Sequence, residues 1–410
     1  MRTGIHLTII LLLTTCSVRA QVSSVYNPKK TQKEVRAYIK AEKYAQAEDL
    51  ISKSMKADPA AKADITLNYL MMGVQHGLAD AENRKIFLAS KPDTAKYFSC
   101  IYKVYQYAIS TDSLDRLPDE KGRVKPQHTS GVATQLMAYR NNIKSGGKYF
   151  YMKKKYNESF RFFNIYLQTQ HHPALETLKN FKSDIDSIEI MRMAVYSAYN
   201  AGQYNNVLIY LPQCMTEDTD MTTLCQIGSR TQMALADTIR ALPYLYRGWK
   251  ADPMQEYFYI TLLDYYNGRH NYADAYHVVT SQLKIMPQNR LLWYLRGKCE
   301  QGLDSVDSAI SSYRHAIEIQ ENDARSYASL GGIYIDKARL AYENNHFAVG
   351  TPEYAGAKQK QDELYEEARK NFEKARQYSP DDLSLWMADL KEIYFRLNKG
   401  DELKALESLK

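Results

Sequence analysis

Between Thr222 and Pro380 the chain repeats itself every 34 residues, and a period of that length leaves few folds open to it. A helix start falls at Thr222, Glu256, Arg290 and Ala324 in one unbroken register. Within each unit the same positions carry the same size of side chain. The unit from Arg290 has Trp293 at position 4, Gly297 at 8, Ala309 at 20, Tyr313 at 24 and Ala316 at 27. The unit before it has Tyr266 at 11, Ala275 at 20, Val279 at 24 and Pro287 at 32. The unit from Thr222 has Ala241, Leu245 and Pro253 at 20, 24 and 32. Small residues at 8, 20 and 27 suit the place where two antiparallel helices cross most closely. Large residues at 4, 11 and 24 fill the space beside that crossing, and proline at 32 ends the second helix. One such hairpin cannot bury its apolar face alone, so hairpins must stack.

This pattern resembles the tetratricopeptide repeat (TPR), a 34-residue helix–turn–helix unit. The resemblance is strongest from Thr222 to Pro380. It extends upstream through a unit from Ile188, with Ala198, Val207 and Leu211, and one near Arg140, with Gly147, Ser159, Phe163 and Tyr166. The first helical pair shares its second half, in Ala47, Ile51, Ser54 and Pro59, and Thr31 with Glu34 reads as a capping box opening its first helix. The run Glu82–Thr94, with Thr111–Asp115, is also similar to the N-terminal part of exported bacterial TPR proteins of unknown function. The resemblance implies an all-α fold, an α-solenoid of TPR hairpins whose concave face binds peptides or proteins.

In TPR arrays, positions 2, 5, 9 and 12 of helix A line the concave groove. Carried onto this register they are Arg192, Tyr196 and Tyr199; Arg230; Tyr257 and Asp264; Tyr294 and Lys298; and Arg325. Aromatic and cationic side chains together suit an extended segment with acidic and apolar residues. The carboxylate clamp of chaperone-binding TPR domains is not matched, because Arg192, Tyr196 and Ile227 stand where it needs Lys, Asn and Asn.

The expected organisation is a leader over residues 1–20, a helical TPR-like region over 21–110, a surface loop over 111–131 and a TPR array over 132–410. The clear units are 188–221, 222–255, 256–289, 290–323 and 324–382, with capping helices over 383–410. The leader has Arg2, the apolar stretch Leu7–Leu13 and the small-x-small site Val18-Arg19-Ala20, features of a secretory signal peptide cleaved before Gln21. An exported protein of the periplasm or cell exterior is expected, not spanning the membrane. A lipid-bearing Cys16 is the competing reading, though Thr15 suits it poorly. The loop 111–131 is inferred from two prolines, two glycines and many charges.

The unit from Ala324 holds an insertion: Tyr334 at position 11 and Ala368 at position 20 lie 34 residues apart where the motif needs nine. Helical periodicity persists on both sides of Gly350 and Pro352. Two helices each lengthened by about twelve residues are expected, projecting roughly 18 Å as a docking arm or a tolerated insertion.

Charge and chemistry narrow the function. The chain has 54 Lys+Arg against 47 Asp+Glu, and 52 against 47 without Arg2 and Arg19, a mild excess that does not suggest nucleic acid. Most of the 34 tyrosines sit at core spacing and read as packing. Lys148, Lys153, Lys154 and Lys155 around Tyr149–Tyr151 read as a solvated face beside core aromatics. His171, His172, His270 and His277 read as exposed or capping residues. Cys214 and Cys225 fall on neighbouring core positions and are either a disulfide or two small buried hydrophobes. No nucleotide, hydrolase or metalloprotease motif occurs, so neither catalysis nor a cofactor or metal is expected. The sequence reading is a non-catalytic protein–protein interaction scaffold of the cell envelope. A glycan-binding module using the groove tyrosines is the alternative.

Overall fold

A computed structural model of the chain describes residues 26–179, 181, 187–216 and 220–408. The expected leader and Cys16 lie outside them. Among the described residues every regular element is helical, and they divide into two compact units between Cys214 and Met215.

The first unit opens with the hairpin α1 (Pro28–Lys40) and α2 (Tyr44–Ala57), followed by the short α3 (Pro59–Ala63). The long pair α4 (Ile65–Phe87) and α5 (Thr94–Asp115) comes next, then α6 (Thr129–Ala138). The hairpin α7 (Arg140–Met152) and α8 (Tyr156–Gln168), the turn-length α9 (Pro173–Glu176), and the hairpin α10 (Ser187–Asn200) and α11 (Tyr204–Cys214) complete it. The second unit has the hairpins α12 (Met221–Ala234) and α13 (Thr238–Ala251), α14 (Glu256–Asn267) and α15 (Tyr272–Leu283), and α16 (Arg290–Gly302) and α17 (Val306–Ile319). It ends with α18 (Ala324–Glu343), α19 (Pro352–Tyr378), α20 (Met387–Arg396) and α21 (Gly400–Glu407).

The repeat register is kept to the residue. Helix A begins at Glu256, Arg290 and Ala324 as the spacing predicts, and only the first start moves, from Thr222 to Met221. Helix B begins at Tyr204, Thr238, Tyr272 and Val306, the same period again. Seven of the helix-to-helix turns share one conformation. The residue two places before helix B has positive φ at Glu42, Lys154, Gly202, Ala236, His270, Asp304 and Asn398. The next amide donates back to a carbonyl five residues earlier, as from Gln203 to Ala198, Asp237 to Gln232 and Ser305 to Glu300. This is the Schellman closure, which satisfies the last carbonyls of helix A. Only one of these seven turns uses glycine, so packing of the hairpin outweighs the modest cost of a left-handed L-residue.

Close crossing explains the small residues. A β-carbon on Gly147 would stand 2.5 Å from the Phe163 ring; on Gly297, 2.7 Å from Tyr313; and on Gly331, 2.5 Å from Phe372. In these three hairpins the space over position 8 of helix A is thus filled by the aromatic at position 24 of helix B. Ala309, Ala316, Ala368 and Ala375 are fully buried at the other close positions. In the hairpin α7–α8 position 20 is Ser159, whose hydroxyl donates to the Gly147 carbonyl at 2.9 Å. Successive hairpins are tied by Gln282, which accepts from Trp249 Nε1 and donates to the Pro253 carbonyl, both at 2.7 Å.

Three local expectations need correction. Asn27, not Thr31, caps α1, accepting from the Lys30 amide at 3.1 Å, because Pro28 suits the first helical position. The loop expected at 111–131 is shorter, since α5 continues to Asp115 and α6 starts at Thr129. Thr111, Asp112 and Asp115 are buried, and Asp115 accepts from the Gln127 and His128 amides, each at 2.6 Å. Those long-range partners hold in helix a polar stretch that looks like loop. The inserted hairpin is lengthened unequally: α18 has 20 residues against 13 in α16, and α19 has 27 against 14 in α17. These extensions are about 10 and 20 Å. Residues 344–351 join the pair, because the periodic stripe stops at Asn344 and Gly350 turns the chain with φ +92°. Thr351 then caps α19, accepting from the Tyr354 amide at 3.2 Å.

Glu82 clamps the α4–α5 pair near its turn. Its buried carboxylate accepts from Lys85 Nζ at 2.7 Å and the Asp93 amide at 3.1 Å, and pairs with Lys96 at 3.0 Å. The Lys85 hydrogen bond, aided by Asp93 and Lys96, holds this carboxyl down at about 2.

Two measurements follow from this packing. Gly331→Ala should lower the melting temperature because its methyl meets Phe372, whereas Gly332→Ala, with open space around it, should stabilise by about 0.5–1 kcal/mol. Ala309→Leu in the same series should cost about 1–3 kcal/mol. Glu82 has a lower pKa folded than its ordinary 4.5, so its contribution is present above that value and fades as pH falls toward 2. Denaturant midpoints measured across that range should fall less steeply in Glu82→Gln than in the parent chain.

Candidate functional site

The side chains expected to line the concave face come from successive A helices because the 34-residue register returns the same helical position to the same face. In the second unit they are Arg230 on α12, Tyr257 and Asp264 on α14, Tyr294 and Lys298 on α16, and Arg325 on α18. Arg230, Asp264, Lys298 and Arg325 are exposed, and the two tyrosines are half-buried. The structure brings one pair together across hairpins: the Arg230 guanidinium lies over the Tyr257 ring, 4.9 Å from its centre. Tyr257 is oriented by a 2.9 Å hydrogen bond between its hydroxyl and Ser229 on α12. Its neighbour Phe258 is fully buried and packs edge-on at 5.3 Å. Tyr294 leans on Tyr313 at 5.8 Å, so its ring is set by the core aromatic that covers Gly297. The side chains of Asp264, Lys298 and Arg325 have no ionic partner among the described residues.

Arg192, Tyr196 and Tyr199 are on α10 in the first unit. All three are half-buried, and Tyr199 meets Tyr204 edge-on at 6.3 Å. The Arg192 Nε is buried without a hydrogen-bond partner among the described residues. Ile227, at the position where a carboxylate clamp needs Asn, is a buried packing residue.

The remaining chemical candidates are accounted for locally. Cys100, Cys214, Cys225 and Cys299 are free and buried, so the disulfide considered for Cys214 and Cys225 is not formed. Burial pushes the Cys214 and Cys225 thiols up to about 11, and Cys299 to about 12. Such thiols are poor nucleophiles. His172 caps α9, accepting from the Ala174 amide at 3.3 Å, and places Nε2 3.8 Å from Asp112. His270 hydrogen-bonds the Tyr272 hydroxyl at 2.9 Å. Among the described residues no group of three or more His, Cys, Asp and Glu could hold a metal ion, and no helix is long and apolar enough to cross a membrane.

Two clefts were not anticipated. One, of about 220 Å³, lies among α5, α7 and α8, floored by Phe150 and Phe162, with Arg161 over the Tyr102 ring at 4.8 Å. The second, of about 250 Å³, lies beside the long hairpin, between Tyr342, Tyr354 and Tyr365 and the end of α20 at Phe395 and Arg396. The aromatic run Tyr149–Tyr151 signals the first only once α5 is known to pack across it.

A 34-residue register of helical hairpins, with small residues under aromatic rings at fixed positions, defines a repeat fold of the tetratricopeptide type. No family model matches the sequence, and neither does any curated protein. The chain is similar to solved structures of repeat proteins. One is the C-terminal part of a TPR repeat-containing protein from Cytophaga hutchinsonii: 14% identical, covering 64% of this chain and 98% of that one, with a TM-score of 0.34. Another is a TPR repeats protein from Bacteroides fragilis, 14% identical, covering 63% and 98%, with a TM-score of 0.29. MamA is 16% identical, covering 45% and 93%, with a TM-score of 0.33. Likeness at this level carries nothing about partner or site.

Proposed function

We propose that this protein is a non-catalytic scaffold that binds a partner protein through the helix A face of its second unit. The single observation that carries the reading is the stacked Arg230–Tyr257 pair beside exposed, unpartnered Lys298 and Arg325. The Tyr257 ring orients the Arg230 guanidinium, and the cations Arg230, Lys298 and Arg325 outnumber the one acid, Asp264, on this face. The fitting ligand is an extended segment with acidic and apolar side chains. A glycan would need a tyrosine face on which to lie, and Tyr257 already has Arg230 over one of its faces, which favours the peptide reading. Export to the periplasm or cell exterior belongs to the same proposal, on the strength of Arg2, Leu7–Leu13 and Val18–Ala20.

The combined change Tyr257→Ala with Arg230→Ala should abolish capture of an envelope partner while leaving the helical circular dichroism spectrum unchanged. Undiminished binding would move the site off this face, toward the long hairpin at 338–364. N-terminal sequencing of the protein from its host should begin at Gln21, and palmitate labelling that depends on Cys16 would replace this form of export by a lipoprotein.

A further inference from the structure

The tip of the α4–α5 hairpin carries a feature that neither the repeat nor the groove uses. Ile86, Phe87 and Leu88 end α4 as three consecutive large apolar residues. Their exposures are 59%, 82% and 73%, although most apolar side chains of α4 are buried. Consecutive helical residues point about 100° apart, so three in a row cannot share one buried face and must leave the tip apolar nearly all round. The tip is structured: Ala89 has φ +52°, and the Ser90 amide donates to the Lys85 carbonyl at 2.9 Å. One turn below, the Glu82 clamp ties α4 to the start of α5.

Around this wedge lie cations. Arg84 reaches Glu42 at 3.4 Å, which places the α1–α2 turn beside the last turn of α4. That turn brings Lys40 and Lys43 to the tip, and Lys91 follows it in the joining loop. All three are exposed and have no acidic partner among the described residues. The nearby acids are engaged: Asp80 and Glu42 with Arg84, Glu82 with Lys85 and Lys96, and Asp93 as the cap of α5.

We propose that this tip is a membrane-contact wedge for an anionic lipid surface: Ile86, Phe87 and Leu88 enter the interface while Lys40, Lys43 and Lys91 meet headgroup phosphates. A convex tip would need a matching pocket on a protein, whereas a bilayer accepts an apolar protrusion of any shape. Apolar insertion and lysine attraction are each weak, and together they give reversible, salt-sensitive attachment. The inference does not rest on the groove, which is in the other unit.

The test is co-sedimentation of residues 21–410, which keep every described residue and lack the leader, with vesicles. One set holds equal parts of phosphatidylglycerol and phosphatidylcholine, the other phosphatidylcholine alone. The chain should sediment with the first, be released by salt, and ignore the second. Phe87→Ser with Leu88→Ser should weaken binding about tenfold or more at unchanged circular dichroism, since both side chains are exposed. Lys43→Gln with Lys91→Gln should remove the preference for phosphatidylglycerol, and Ile239→Ser, an exposed apolar change elsewhere, should do nothing. No sedimentation of the parent chain, or equal sedimentation of the serine variant, overturns the proposal. Phe87-dependent self-association without vesicle binding also overturns it, making the tip a protein contact.

Discussion

In three of the hairpins an aromatic ring seated on a glycine is the contact from which the rest of the packing follows. Phe163 on Gly147, Tyr313 on Gly297 and Phe372 on Gly331 set the separation of the two helices. At that separation position 20 holds alanine or serine, as in Ser159, Ala309 and Ala368, and the larger residues pack outward against the next hairpin. Phe163, Tyr313 and Phe372 are buried almost fully, and rings of this size remove a large apolar area from water. Shape complementarity at one point thus propagates into both the internal crossing and the stacking surface.

The same contact orients the candidate groove. Tyr294 leans on Tyr313, and Tyr257 packs on the buried Phe258, so both tyrosines of the candidate groove in the second unit are held by residues of the core. Cations on this face stand beside rings already fixed in place, which limits the ordering entropy a bound segment would impose. At the opposite extreme, the acids around Glu82 and Asp115 are turned inward. They cap helices and clamp loops and are not available to ligands.

How far the sequence could be read depended on whether a feature repeats. Gly297, Ala309, Tyr313 and Ala316 recur in register, so helix starts at Glu256, Arg290 and Ala324 followed from arithmetic. The insertion showed itself as a break in that arithmetic, although its unequal division between α18 and α19 did not, since the 34-residue period does not say how inserted residues are shared between two helices. Features that occur once were hidden. Thr111–Asp115 reads as loop by composition and is helix because Asp115 meets residues twelve and thirteen positions on. The groove residues were chosen by register and are exposed or half-buried, but register did not show that Arg230 lies over Tyr257. Whether neighbours on a face touch depends on side-chain reach, which spacing does not encode.

The shared turn has a consequence for how the chain folds. Each Schellman closure needs only the residues of one helix end, and each ring-on-glycine contact spans a single hairpin, so the stabilising contacts are short in sequence. A chain built in this way has low contact order and little loop entropy to overcome before its first contacts form. Hairpins can nucleate independently and then grow by docking to a neighbour. In α18–α19 the two longest stretches of the second unit are joined by residues 344–351 alone, so this pair has the most contact to gain from one short closure.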